Sequence, residues 1–225
     1  MDLPTPLPPT EMRRGGGPLK YNDKFFVESA VDDAHLLTAV GLEENGRLID
    51  FGCGPGRLAI GLIRSGWIGS YLGVEVNEAQ VRWTSAEITS RFPEFRFVRV
   101  DAANARYNPR GSETPRVPVD NESVDMICAF SVFTHMLSDD TVTYLREFRR
   151  ALDIDGRALI TAFMADGVPE ETENPPWLGE SSGRLHRILY STEYLRQLIE
   201  TAGLKLVEVV PRANREQTTL LLRPA

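Results

Sequence analysis

The sequence predicts an α/β chain: a mixed, mostly parallel sheet of seven strands with helices on both faces, its last strand antiparallel. Three observations predict it. Short apolar runs alternate with amphipathic helical segments between residues 48 and 163, the pattern of successive β-α-β units. The chain then closes with two apolar runs, 204–210 and 218–223, joined by a polar loop, which reads as an antiparallel pair. Finally, 47–57 runs Arg-Leu-Ile-Asp-Phe-Gly-Cys-Gly-Pro-Gly-Arg, with glycine at three alternate positions between a buried strand and a helix. Such a turn lets backbone approach a ligand at the helix N-terminus with no side chain in the way.

Each element has its own signal. Residues 1–20 hold Pro4, Pro6, Pro8 and Pro9, then Gly15, Gly16 and Gly17, a composition that predicts a mobile arm. The domain proper is expected over 21–225. Phe26, Ala30, Ala34 and Leu37 fall at helical spacing and Gly41 closes that helix. Strand 48–51 leads through the glycines to helix 58–65, which Gly66 ends. Strand 71–76 carries Glu75 at its carboxyl end, and Asn77 caps a helix with Val81, Ser85, Ile88 and Phe92 on one face. Strand 95–100 follows, with Asp101 and Ala102 just beyond it. Pro109, Pro115 and Pro118 exclude regular structure from an insert over 104–121, whose Arg106, Arg110 and Arg116 meet either solvent or an anionic substrate. Strand 124–130 is continuously apolar, as a strand buried on both faces is. Ser138 is then expected to cap a helix with Val142, Leu145, Phe148 and Leu152 inward, and strand 157–163 follows a turn at 153–156. The connection 164–190 is long enough to read as a lid or a disordered segment. Ser191 caps the last helix and Gly203 terminates it.

Bulk composition narrows the function. The 225 residues, 42% of them apolar, suit one α/β domain with a sizeable core. A net charge of -7 disfavours free nucleic acid as a partner. No apolar run approaches a membrane span, and no Cys/His spacing suggests a metal. Cys53 and Cys128 each end a core strand, and with no charged-then-apolar leader the expectation is a reducing, cytoplasmic location.

The glycine spacing misses the dinucleotide fingerprint Gly-x-Gly-x-x-Gly by one residue, since position 57 is Arg. With Asp50 two residues before Gly52, the pattern acid-x-Gly-x-Gly-x-Gly resembles motif I of class I S-adenosylmethionine-dependent methyltransferases. That resemblance implies a three-layer Rossmann-like sheet, S-adenosyl-L-methionine as cofactor, and methyl transfer to O or N of a small molecule. It places Asp50, Gly52, Cys53, Gly54, Gly56, Arg57, Glu75, Val76, Asp101, Ala102, Phe130 and Ser131 at the cofactor. Glu75, 19 residues past Gly56, stands where an acid accepts hydrogen bonds from ribose hydroxyls, a rule that NAD sites also obey. In the resembled family an acid at Asp101 binds the adenine amine; the alternative is that it caps the next turn. Asp50 either fixes the loop or meets the amino acid end of the cofactor. The strings 106–111 and 131–136 also look like those of bacterial methyltransferases of unassigned substrate.

The acceptor side is less defined. His135 sits just past the fourth strand and is the candidate base or orienter; the competing reading is a packing or capping histidine. Tyr21, Tyr107, His186 and Tyr190 are the other candidate acceptor contacts, and His35 reads as structural. Asn174-Pro175-Pro176-Trp177 looks like the Asn-Pro-Pro-aromatic motif of amino-methyltransferases, but it follows the fifth strand instead of the fourth and reads as a proline turn. A non-catalytic S-adenosylmethionine-binding module and an NAD-dependent oxidoreductase are the alternative functions. Neither the acceptor nor the oligomeric state follows from the sequence.

Overall fold

The computed structural model describes residues 5–13, 17–112, 116–212 and 216–225. The chain divides into two compact units, Met1–Arg99 and Val100–Ala225.

In the first unit, α1 (Pro18–Tyr21) and α2 (Asp23–Ala39) precede β1 (Arg47–Phe51), α3 (Arg57–Arg64), β2 (Ser70–Glu75), α4 (Glu78–Thr84) and β3 (Phe95–Arg99). The strands are all parallel in the order β3-β2-β1, with Asp50 beside Gly73 and Glu75 beside Arg99. Both crossovers step the same way along the sheet, so right-handed connections put α3 and α4 on one face. α2 buries Phe26, Ala30, Ala34 and Leu37 as its spacing predicts, and Asn22 caps it by accepting from the Phe25 N–H at 3.0 Å. His35 lies on its exposed side.

Two expectations in this unit change. The inward set of α4 and the π-helical turn Ser85–Thr89 is Gln80, Thr84 and Ile88, with Ser85 exposed. A polar residue occupies the core here because Gln80 Nε2 donates to the Met12 carbonyl at 3.2 Å, and a satisfied amide is tolerated in the interior. The same bond helps hold the arm that composition predicts to be mobile. Over its described residues the arm is docked: Arg13 is buried, donates to the Pro8 carbonyl, pairs with Asp23 at 2.7 Å and lies over the Phe26 ring. Arg13 thus supplies polar attachment alongside the buried Pro8 of the arm.

The second unit runs β4 (Val124–Ala129), α5 (Ser138–Ala151), β5 (Leu152–Ala165), β6 (Glu171–Glu173), β7 (Ile188–Ser191), α6 (Thr192–Thr201), β8 (Leu204–Val210) and β9 (Thr218–Pro224). β4 pairs parallel to β5; β9 pairs antiparallel to both β5 and β8. The seven expected strands are therefore β1–β5, β8 and β9, with the last antiparallel. Together the two units carry the mixed, mostly parallel Rossmann-like sheet that the sequence predicts.

The connection 164–190 is neither a free loop nor disordered. It contains the β6–β7 hairpin, with β7 parallel to the end of β5 at Phe163–Ala165. Ile188, Leu189 and Tyr190 are buried, and that local apolar run outweighs the surrounding Gly and Pro. Ser138 does not cap α5: Leu137 holds the cap position, and the Glu171 carboxylate of the hairpin accepts the Ser138 N–H. Ser191 caps α6 as expected, accepting from Tyr194 N–H at 3.1 Å. The later part of the 104–121 insert is held by Arg150, which donates to the carbonyls of Val117 and Val119 at 2.7 and 2.8 Å and pairs with Glu147. Among the described residues no helix is long and apolar enough to cross a membrane, and no His/Cys/Asp/Glu group is arranged to hold a metal.

Candidate functional site

In the first unit the glycine turn hangs on the end of β2. The Gly52 and Cys53 N–H groups both donate to the Val74 carbonyl, at 2.8 and 3.2 Å. Gly52, Gly54 and Gly56 have φ of 76°, 55° and 78°, in the left-handed region that side chains disfavour. The last two are glycine for different reasons. A Cβ on Gly56 would stand 2.8 Å from Ile88 Cδ1 and 3.2 Å from Thr84 Cγ2, whereas a Cβ on Gly54 would meet nothing within 4 Å. Gly56 is a packing glycine; Gly54 is a cradle glycine, bare on its open side.

Glu75 ties this cradle to β2. Its Oε2 accepts the Gly54 N–H at 2.9 Å, and its Oε1 accepts from Val76 and Asn77 at 2.8 and 2.9 Å. Three donors leave part of the capacity of an ionised carboxylate, about four lone-pair sites, open to a ligand hydroxyl. Asp50 is buried and accepts the Tyr71 hydroxyl at 2.6 Å; Tyr71 in turn stacks on Phe95 with centroids 5.2 Å apart. That carboxylate anchors the strand beneath the turn. Cys53 is buried, and burial, with Asp50 and Glu75 nearby, pushes its thiol well above its ordinary range, so it packs as an apolar side chain. Arg57, expected at the cofactor, donates to the Ser29 carbonyl at 3.1 Å and pairs with Asp33, which is 0% exposed. Its guanidinium fastens α3 to α2. Tyr21 is 72% exposed.

In the second unit Asp101 is held by the insert that follows it: Asn108 Nδ2 donates to one oxygen at 3.0 Å and Ser112 Oγ to the other at 3.3 Å. Ala102 is buried, and the insert folds back so closely that a Cβ on Gly111 would stand 2.6 Å from the Ala102 carbonyl. Phe130 lies under the Arg212 guanidinium at 5.2 Å. Ser131 has φ 58°, an unfavourable value for a side-chain-bearing residue. It is held there by Thr161, whose Oγ1 accepts the Ser131 N–H at 2.7 Å, and by Gln217, whose Oε1 accepts both the Ser131 and Thr161 hydroxyls at 3.0 and 2.7 Å. Sequence reasoning missed both partners. Thr161 carried a signal, as the one polar residue in the apolar run 158–163; Gln217, in a polar loop, carried none.

His135 is held on one side by backbone and on the other by an aromatic ring. Its Nδ1 lies 2.9 Å from the Leu185 carbonyl and its ring meets the Tyr107 ring edge-on at 5.2 Å. Burial lowers its pKa to about 4, against the Leu185 hydrogen bond and with help from Arg106 and His186. A carbonyl can only accept, so the neutral ring carries its proton on Nδ1 and leaves a lone pair on Nε2. His186 has the opposite arrangement: its Nδ1 accepts the Ser182 N–H at 3.0 Å, and burial, Arg106 and Arg187 lower its pKa. Tyr190, expected to meet the acceptor, is fully buried. Its hydroxyl donates to the Met136 carbonyl and pairs with Thr141 at 3.0 Å, and burial raises its pKa; it pins the hairpin from inside. The Asn174 amide is also engaged, accepting the Arg187 N–H and donating to the Gly183 carbonyl, both at 3.0 Å, which is a turn-closing role.

The methyltransferase domain family matches residues 26–209, and the chain belongs to that family. Its fold is that of solved methyltransferase structures. A SAM-dependent methyltransferase from Aquifex aeolicus is 18% identical, with 98% of this chain and 100% of that chain covered and a TM-score of 0.62. The 1,6-didemethyltoxoflavin-N1-methyltransferase of Burkholderia thailandensis, solved with 1,6-didemethyltoxoflavin and S-adenosylhomocysteine, is 20% identical over 90% of this chain and 81% of that one, TM-score 0.61. The magnesium protoporphyrin IX methyltransferase of Synechocystis PCC 6803, solved with SAM, is 12% identical over 94% and 86%, TM-score 0.59.

Proposed function

We propose that this protein transfers the methyl group of S-adenosyl-L-methionine to an oxygen or nitrogen of a small-molecule acceptor. The observation that carries the cofactor reading is the glycine cradle: an open-sided Gly54 whose N–H is fixed by Glu75 at a strand end, in a chain of the methyltransferase domain family. The residues fit the group. Gly52, Gly54 and Gly56 offer bare backbone, Glu75 retains acceptor capacity for ribose hydroxyls, and the Asp101 carboxylate suits the adenine amine. Val76, Ala102, Phe130 and Ser131 supply apolar surface and backbone groups at the ends of their strands. Asp50, Cys53 and Arg57 support this arrangement through the turn and α3.

When bound, the cofactor supplies a sulfonium methyl that the acceptor's lone pair takes as the carbon–sulfur bond breaks. The protein's task is then mainly alignment in a site that excludes water. His135 Nε2 takes the proton of an acceptor hydroxyl as the new bond forms. A histidine of lowered pKa suffices there, because a hydroxyl becomes strongly acidic once its oxygen begins to carry the methyl group. Tyr107 flanks the His135 ring, and His186 and Tyr21 are the further acceptor contacts. Two free, buried cysteines suit a reducing compartment such as the cytoplasm.

Calorimetric titration with S-adenosylmethionine, S-adenosylhomocysteine and NAD tests the cofactor. Binding of the first two is expected; a response to NAD alone sinks the reading. Methyl transfer to a panel of phenols, carboxylates, amines and amino sugars tests the activity, and binding without turnover across that panel overturns the enzymatic part.

A further inference from the structure

The second unit contains a relay of hydrogen bonds that ends on the histidine ring. It begins at Glu173, the last residue of β6, whose Oε1 accepts the Leu185 N–H at 2.7 Å. The Leu185 carbonyl then accepts from His135 Nδ1 at 2.9 Å. One residue thus connects a carboxylate on one side of its backbone to an imidazole on the other. Leu185 is buried and has φ 50°, a conformation that strains a side-chain-bearing residue and persists where its surroundings over-determine it. Those surroundings are visible. Asn174 N–H donates to the Arg187 carbonyl at 2.7 Å, and the Asn174 side chain closes the loop at Arg187 and Gly183. From the other insert, Arg106 donates to the Ser182 hydroxyl at 2.9 Å and reaches the Ser182 and Arg184 carbonyls at 3.4 and 3.5 Å.

We propose that Glu173 is a positioning residue for His135: by holding the Leu185 N–H it aims the Leu185 carbonyl at Nδ1, which keeps the ring proton on Nδ1 and the Nε2 lone pair free for the acceptor. Without that carbonyl both neutral tautomers are populated and the ring turns about its side-chain bonds. The tautomer with hydrogen on Nε2 can donate to an acceptor oxygen but cannot take its proton. The β6–β7 hairpin, an addition to the seven strands of the sheet, therefore has a chemical task. The assignment rests on reading His135 as the proton acceptor.

The test compares wild type, Glu173→Ala and Glu173→Gln by nitrogen-detected NMR of the His135 ring, alongside steady-state methyl transfer and S-adenosylhomocysteine binding. Wild type is expected to show a protonated Nδ1 and a bare Nε2; a wild-type ring protonated on Nε2 overturns the proposal without any variant. In Glu173→Ala the ring is expected to become a tautomer mixture, with kcat down on the order of tenfold or more and S-adenosylhomocysteine affinity unchanged. Glu173→Gln is expected to restore both, because its amide oxygen accepts the same N–H. An unchanged tautomer in Glu173→Ala overturns the positioning role and leaves the His135 reading standing. A shifted tautomer with unchanged kcat removes His135 from the reaction, and the positioning role falls with it.

Discussion

The two units hold their candidate site residues by different means. Up to Arg99 the cradle is made of backbone, and the Glu75 carboxylate braces it through three N–H donors. From Val100 onward the corresponding residues are held by groups that lie mostly on inserts and loops: Asp101 by the Asn108 and Ser112 side chains, Ser131 by Thr161 of β5 and by Gln217, His135 by the Leu185 carbonyl. A backbone cradle suits a part that all ligands share, since it depends on chain direction and the absence of side chains. Side chains on inserts suit a part that differs from one acceptor to another, since each can be exchanged without disturbing the sheet.

That contrast can be broken most sharply at Arg57. If its guanidinium serves the fold, Arg57→Ala withdraws it from a carboxylate that is fully buried and lowers stability by about 3–5 kcal/mol. Urea unfolding measures the loss; a full-stability variant with weakened cofactor binding would return Arg57 to the ligand. Next is His135. Its folded pKa, about 4, lies below its ordinary value, so the unfolded chain binds more protons between the two. Nothing is lost above about pH 6.5; as pH falls from there toward about 4, stability declines by up to about 3 kcal/mol. His135→Gln should flatten that slope, and an unchanged slope would assign it to other groups.

The two glycines of the cradle then separate packing from binding. Gly56→Ala is expected to cost about 2–3 kcal/mol of stability, from backbone strain plus contact with Ile88 and Thr84. Gly54→Ala meets no neighbour and should cost only about 1 kcal/mol, yet weaken S-adenosylhomocysteine binding by about tenfold or more, because its methyl enters the open side of the cradle. Equal losses of affinity in the two variants would remove the distinction. The smallest effect is expected at Asn108→Ala, which removes the amide that donates to Asp101 and to the Ala102 carbonyl and costs about 1 kcal/mol, read as a small shift in thermal midpoint.

The sequence was most informative where structure is local. The succession of strands along the chain, the caps at Asn77 and Ser191, the glycine turn and the acid at the end of β2 all depend on neighbours within a few residues, and all were legible. The cap of α5 was not, because its acceptor, Glu171, lies 33 residues away. The same holds for Gln80, whose burial depends on a carbonyl 68 residues distant, and for Tyr190, whose hydroxyl is drawn inside by Met136 and Thr141.

By itself, then, the sequence determined the α/β class, the resemblance to methyltransferases and the backbone cradle, because period, turn chemistry and glycine spacing act at short range. Only the tertiary structure decided that the arm is docked, that Arg57 pairs with Asp33, that 164–190 contains a hairpin, and that His135 Nδ1 faces the Leu185 carbonyl. Apart from the hairpin, whose apolar run is local, each of these turns on which distant group satisfies a buried polar atom, and a buried polar atom that goes unsatisfied costs more than local preference can offset.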